Sequence, residues 1–277
     1  MAAMPRPLLT AGFLAIGIVL LAAVLFAAVF VLGQNRLLYF PTRRYATTPA
    51  ALGLDADDLA VVTEDGVRLE GWRIRGAGTK ALLFFHGNAG NIADRLERAK
   101  MLNARFGLDV FLVDYRGYGR SQGSPSEEGL YRDARAVYRA AAAAGFRPEQ
   151  IVVFGESLGA AVAVDLARSH PSAGLVLEAP FLSVPAVAHV HYPFVPTFLV
   201  QSRFDNLAKI ADVAAPKLIF VPELDEVIPP SHGRRLFEAA QGARELSVVP
   251  GAHHNDAYLV GGEAYWRAWE KFLAAIP

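Results

Sequence analysis

Three side chains in this sequence carry the chemistry of acyl transfer: the hydroxyl of Ser157, the imidazole of His254 and the carboxylate of Asp225. A serine hydroxyl is too weak an acid to attack a carbonyl unaided at neutral pH. An imidazole must take its proton and later deliver it to the leaving group. A carboxylate fixes the imidazole tautomer and stabilises its cation. Ser157 lies within Gly155-Glu156-Ser157-Leu158-Gly159, a serine between two glycines. Such a turn lifts the hydroxyl clear of the backbone, and a larger side chain at either flank would collide with neighbouring elements. The developing oxyanion calls for backbone N–H donors. Leu158, directly after the serine, supplies one, and Asn88 in the turn His86-Gly87-Asn88 supplies a second. Each such donor is worth roughly 3–4 kcal/mol. Glu226 and Glu178 compete with Asp225 for the acid, and His253 competes with His254.

These groups need a rigid frame. Residues 151–154 are a fully apolar, β-branched run of the kind that fills a strand buried on both faces, and residues 160–168 are alanine-rich without internal Gly or Pro, a helix. Further strands are expected at 59–63, 67–74, 81–85, 109–114, 174–178, 218–221 and 246–249, with helices at 92–106, 127–144, 231–240 and 263–275. The first two strands form a hairpin across Glu64-Asp65-Gly66. The alternation elsewhere implies an α/β fold, a mostly parallel eight-stranded sheet with helices on both faces. Ser157, Asp225 and His254 each follow a strand, at the carboxyl ends where such sheets bind ligands.

Residues 8–33 carry no charge, and this run exceeds the roughly 20 residues that cross a bilayer. A cleaved signal peptide has an apolar core of about 7–15 residues and a small-x-small site, neither of which is found here. The organisation expected is a short tail at 1–7, a transmembrane anchor helix at 8–33, a linker at 34–58 and a catalytic domain at 59–277 with a lid at about 179–214. Arg36, Arg43 and Arg44 follow the span while only Arg6 precedes it, which favours a cytoplasmic domain on a single-pass membrane protein. Tyr39, Phe40 and Tyr45 suit either the membrane interface or packing on the domain.

Equal numbers of basic and acidic residues, 27 of each, give no electrostatic case for nucleic acid, and the absence of cysteine removes thiol catalysis and disulfides. Asp55-Ala56-Asp57-Asp58 reads as a solvated turn and not a metal site, and His189 with His191 as lid packing. The glycine-interrupted 115–121 loop lacks the lysine and helix of a phosphate cradle. His86 reads as a turn residue packed on the sheet. No cofactor and no metal is called for.

Leu38-Tyr39-Phe40-Pro41, His86-Gly87-Asn88-Ala89-Gly90-Asn91, Asp114-Tyr115-Arg116-Gly117-Tyr118-Gly119, the Ser157 elbow, Leu177-Glu178-Ala179-Pro180-Phe181, Asp225-Glu226-Val227-Ile228-Pro229 and His254-Asn255-Asp256 together resemble the α/β-hydrolases of the BEM46 and ABHD13/ABHD17-like group, the serine aminopeptidase S33 type. The resemblance covers residues 37–277 and implies a serine hydrolase acting on acyl esters, thioesters or amides. With the anchor and the apolar lid, the expected activity is hydrolysis of esters or thioesters of small-molecule or lipid-like hydrophobic acyl substrates. An aminopeptidase or amidase and an inactive binding protein of the same fold are the alternatives.

Overall fold

The computed structural model describes residues 6–277. One sheet organises the domain. Its strands are β1 (Ala56–Val62), β2 (Arg68–Ile74), β3 (Ala81–Phe85), β4 (Asp109–Val113), β5 (Ile151–Glu156), β6 (Gly174–Glu178), β7 (Lys217–Pro222) and β8 (Arg244–Val249). In space they run β8-β7-β6-β5-β3-β4-β2-β1. β1 and β2 form an antiparallel hairpin, β2 pairs antiparallel with β4, and every other pairing is parallel. β3 lies between β4 and β5, so successive crossovers leave this centre in opposite directions and open a crevice at the carboxyl ends of β3 and β5.

Period-two alternation divides each central strand between two cores. Leu83, Phe85, Phe111, Val153, Leu177 and Ile219 face α3 (Glu127–Ala143) and α4 (Leu158–Ser169). Leu82, Phe84, Leu112, Phe154, Val176 and Phe220 face α2 (Leu96–Phe106) and α7 (Gly262–Ala275), where Trp269 is fully buried. Burial on both faces is why these strands read as unbroken apolar runs. Ser126 caps α3 by accepting from the Gly129 N–H at 3.2 Å.

The acidic cluster is not a turn. β1 begins at Ala56, and Asp57 instead holds Arg75 through two bonds of 2.8 and 2.9 Å across the hairpin. Upstream, α1 (Arg6–Gly33) is followed by a one-turn helix, Asn35–Leu38. Phe40–Pro41 then pairs in parallel with Ala89–Gly90 beyond β3. Tyr39 is buried, and the Tyr45 hydroxyl donates to Asp114 at 2.6 Å, so both pack on the domain, whereas Phe40 remains half exposed. The connection between β6 and β7, the segment expected to form a lid, contains α5 (Val184–His191) capped by Ser183. α6 (Pro230–Ala239) joins β7 to β8.

Candidate active site

Ser157 joins β5 to α4 at φ 52° and ψ −116°, a conformation that costs a residue with a Cβ about 1–3 kcal/mol. Its surroundings impose it. The Ser157 N–H donates to the Glu178 carbonyl of β6 at 2.9 Å, and its own carbonyl accepts from Ala160 at 3.0 Å. The flanking glycines are required by space: a Cβ on Gly159 would stand 2.0 Å from the Phe85 carbonyl oxygen, and one on Gly155 2.2 Å from that of Gly159. Both obstacles are backbone, so neither can swing aside.

His254, in the loop after β8, places Nε2 2.9 Å from Ser157 Oγ and Nδ1 2.8 Å from Asp225 Oδ2. Asp225, in the turn after β7, is positioned through its other oxygen, which accepts from the N–H groups of Val227 at 2.9 Å and Ile228 at 2.7 Å. Both side chains are buried. The competing groups lie elsewhere. Glu178 is bonded to Arg98 and Tyr265 beneath the elbow, and Glu226 stands at the surface against His253 Nδ1 at 3.1 Å. The arrangement lets the Ser157 hydroxyl donate to Nε2 while the Nδ1–H donates to Asp225.

The turn after β3 lies opposite. Its Gly87 N–H is occupied by Glu156 Oε1 at 3.2 Å. Asn88 is pinned on three sides: its Nδ2 donates to the Leu38 carbonyl at 2.9 Å, and its carbonyl accepts from the Phe40 N–H at 2.9 Å and the Tyr118 hydroxyl at 2.8 Å. The backbone N–H groups of Asn88 and Leu158 have no acceptor among the described residues, and both residues line the space around Ser157. His86 is buried against Tyr115 and Tyr118, with Nδ1 2.8 Å from the Gly87 oxygen. Burial, together with the nearby Arg95 charge, lowers its pKa to about 3, so the ring is neutral.

Beneath the elbow lies a network absent from the sequence expectations. Glu156 accepts from Arg95 Nε at 2.6 Å and Arg98 Nη1 at 2.8 Å. Arg98 also reaches Glu178, and its Nη2 donates to the Tyr265 hydroxyl at 2.7 Å, which donates in turn to Glu178 at 2.9 Å. Arg95, the residue that caps α2, and Arg98 in its first turn are three apart, and that spacing is the signal that could have exposed them. Burial opposes the charge on Glu156, but the two guanidiniums outweigh it and hold its pKa down to about 2. A depressed carboxyl contributes stability that is fully present above its ordinary pKa of 4.5 and is lost as pH falls toward 2. Melting temperatures measured from pH 5 to 2.5 should therefore fall less steeply in Glu156→Gln than in the wild type, and parallel slopes would contradict this assignment.

Ser157 divides two spaces. On one side is an apolar cavity of about 350 Å³, walled by Phe181, Val184, Val187, Tyr192 and residues near the end of α1. On the other is a polar recess of about 170 Å³ bounded by Arg95, Glu156, His254 and Asn255.

A doubly flanked parallel sheet with a serine at this elbow defines an α/β-hydrolase. Residues 77–213 match the family described as serine aminopeptidase, S33. The α/β-hydrolase domain-containing protein WAV2 of Arabidopsis thaliana is 35% identical over 274 residues, covering 89% of each chain. An uncharacterized membrane protein of Saccharomyces cerevisiae is 32% identical over 254 residues, covering 87% of this chain and 88% of that one. In fold, the chain is similar to the Pyrococcus furiosus esterase Pf2001, with a TM-score of 0.72 at 20% identity over 86% of this chain and 98% of that one. The chain belongs to the S33-type α/β-hydrolases, in the BEM46/ABHD17-like group.

Proposed function

We propose that this protein is a serine hydrolase cleaving carboxylic ester or thioester bonds of hydrophobic acyl substrates, held at a membrane by α1. One observation carries the reading: the Ser157–His254–Asp225 hydrogen-bond chain ends at the mouth of an apolar cavity. Ser157 Oγ attacks the carbonyl as His254 Nε2 takes its proton, and Asp225 stabilises the imidazolium. The N–H groups of Leu158 and Asn88 receive the oxyanion. His254 protonates the departing oxygen or sulfur, leaving an acyl-Ser157 ester. Water then attacks that ester with His254 as base, releasing the acid and restoring the serine. No cofactor or metal takes part in these steps.

The cavity lining favours an acyl group over an aminoacyl one. Among the described residues it contains no carboxylate to pair with an α-ammonium, and an unpaired buried ammonium costs several kcal/mol. The anchor reading is supported by Ile16–Gly33, long and apolar enough to cross a bilayer, and the arginines beyond it favour a cytoplasmic domain.

A fluorophosphonate probe should label the wild-type chain covalently and fail to label Ser157→Ala. Labelling that persists in the variant refutes the assignment, and no labelling of either chain favours an inactive binding protein. kcat/KM on an acyl ester should exceed that on the matching aminoacyl amide, and the reverse order would indicate a peptidase.

A further inference from the structure

The last turn of α1 walls the apolar cavity. Phe30, Gln34 and, in the next turn, Leu37 line the same space as Ser157, Val187 and Tyr192. Gln34 locks this placement: its Oε1 accepts from the Gln201 N–H at 2.7 Å, and its Nε2 donates to the Leu199 carbonyl at 3.4 Å. The lid turn Thr197–Leu199 is therefore held where α1 leaves its apolar span, Ile16–Gly33. At this junction Phe194 and Phe198 expose 71% and 81% of their surfaces, with Leu37 and Phe40 at least half exposed. Aromatic side chains so placed are unfavourable in water, and covering them at the headgroup boundary lowers the free energy by roughly 25 cal/mol per Å² of apolar surface. A continuous apolar path thus runs from the flank of α1 to the Ser157 hydroxyl.

We infer that the lid tip at Phe194 and Phe198 dips into the bilayer beside α1, and that the cavity is filled sideways from the membrane by the acyl chain of a lipid ester. This rests on the readings of α1 as an anchor and Ser157 as the nucleophile. An acyl chain moving between α1 and α5 exchanges lipid contact for protein contact without crossing water, so the carbonyl reaches Ser157 with the chain never solvated. The polar leaving group then occupies the recess bordered by Arg95, Glu156 and Asn255.

The chain has no cysteine, so single sites can be labelled cleanly. Full-length protein carrying Phe198→Cys, coupled to an environment-sensitive fluorophore in phosphatidylcholine nanodiscs, should be quenched strongly by lipids bearing a shallow acyl-chain nitroxide. Lys271→Cys, whose parent side chain meets Glu245 near the amino end of β8 and so at the opposite end of the sheet, should not be quenched. The Phe194→Ser/Phe198→Ser variant should lower the ratio of vesicle-borne long-chain ester hydrolysis to soluble short-chain ester hydrolysis about tenfold. An unquenched Phe198 site, quenching equal to that at Lys271, or an unchanged ratio overturns the inference. Failure of the wild type to float with vesicles overturns the anchor reading instead. Inactivity toward both esters overturns the hydrolase reading and its acyl occupant, while the quenching still decides whether the lid docks.

Discussion

Asp225→Asn lowers kcat on an acyl ester by about four orders of magnitude while leaving the fold intact. The size of the effect follows from which atom faces which. Asp225 Oδ1 accepts two backbone N–H bonds, from Val227 and Ile228, so an asparagine must keep its carbonyl oxygen there. Its amide NH2 then takes the place of Oδ2 and points at His254 Nδ1. That nitrogen becomes an acceptor, the proton moves to Nε2, and Nε2 loses the lone pair that must receive the Ser157 proton. The turn that holds Asp225 thus makes the isosteric change so damaging. Steady-state kinetics with a soluble ester, alongside an unchanged circular dichroism melt, is the measurement. A loss smaller than tenfold would mean that Asp225 does not orient the histidine. Glu226→Gln should have far less effect, because Glu226 is exposed and meets His253, with a further, long bond to the His254 backbone.

Arg98→Met should destabilise the domain by about 3–5 kcal/mol, the cost of stranding a buried partner charge. Arg98 is almost completely buried and bridges Glu156, Glu178 and Tyr265 beneath the elbow, with its guanidinium 4.9 Å from the Phe154 ring. Methionine fills the space but leaves Glu178 with the Tyr265 hydroxyl as its one remaining side-chain partner. In a domain of this size each kcal/mol moves the melting temperature by roughly 2–4 °C, so a drop of about 6–20 °C is expected. Restoring neutrality with Arg98→Met/Glu178→Leu should recover part of the loss, as removal of both partners of a buried pair often does. A drop below 3 °C for the single variant would show that the network contributes little to stability.

The sequence carried the frame and the elbow because both depend on short-range signals. Strands buried on two faces are apolar almost throughout, so the five central strands β3–β7 could be recognised, and the elbow declares itself through glycines with no room for a Cβ. What escaped notice depends on distant partners. Arg95 and Arg98 look like ordinary charges on a helix until β5 and β6 bring Glu156 and Glu178 beneath them, and choosing among three acids required knowing which one His254 meets. The segment after α1 is similar: its bonds go to Asn88 and Asn91, about fifty positions away, beyond any local pattern. The acidic cluster is solvent-exposed as expected but lies at the start of the edge strand and not in a turn, because an edge strand tolerates exposed carboxylates.

The pairing of Phe40–Pro41 with Ala89–Gly90 bears on how the enzyme can be trimmed. A fragment starting near residue 46 would retain the alcohol, the imidazole and the acid, yet it would shed the main-chain rungs that present Asn88. Removing everything before residue 46 would therefore loosen the turn that carries Asn88, so a trimmed version has to be cut upstream of Gln34.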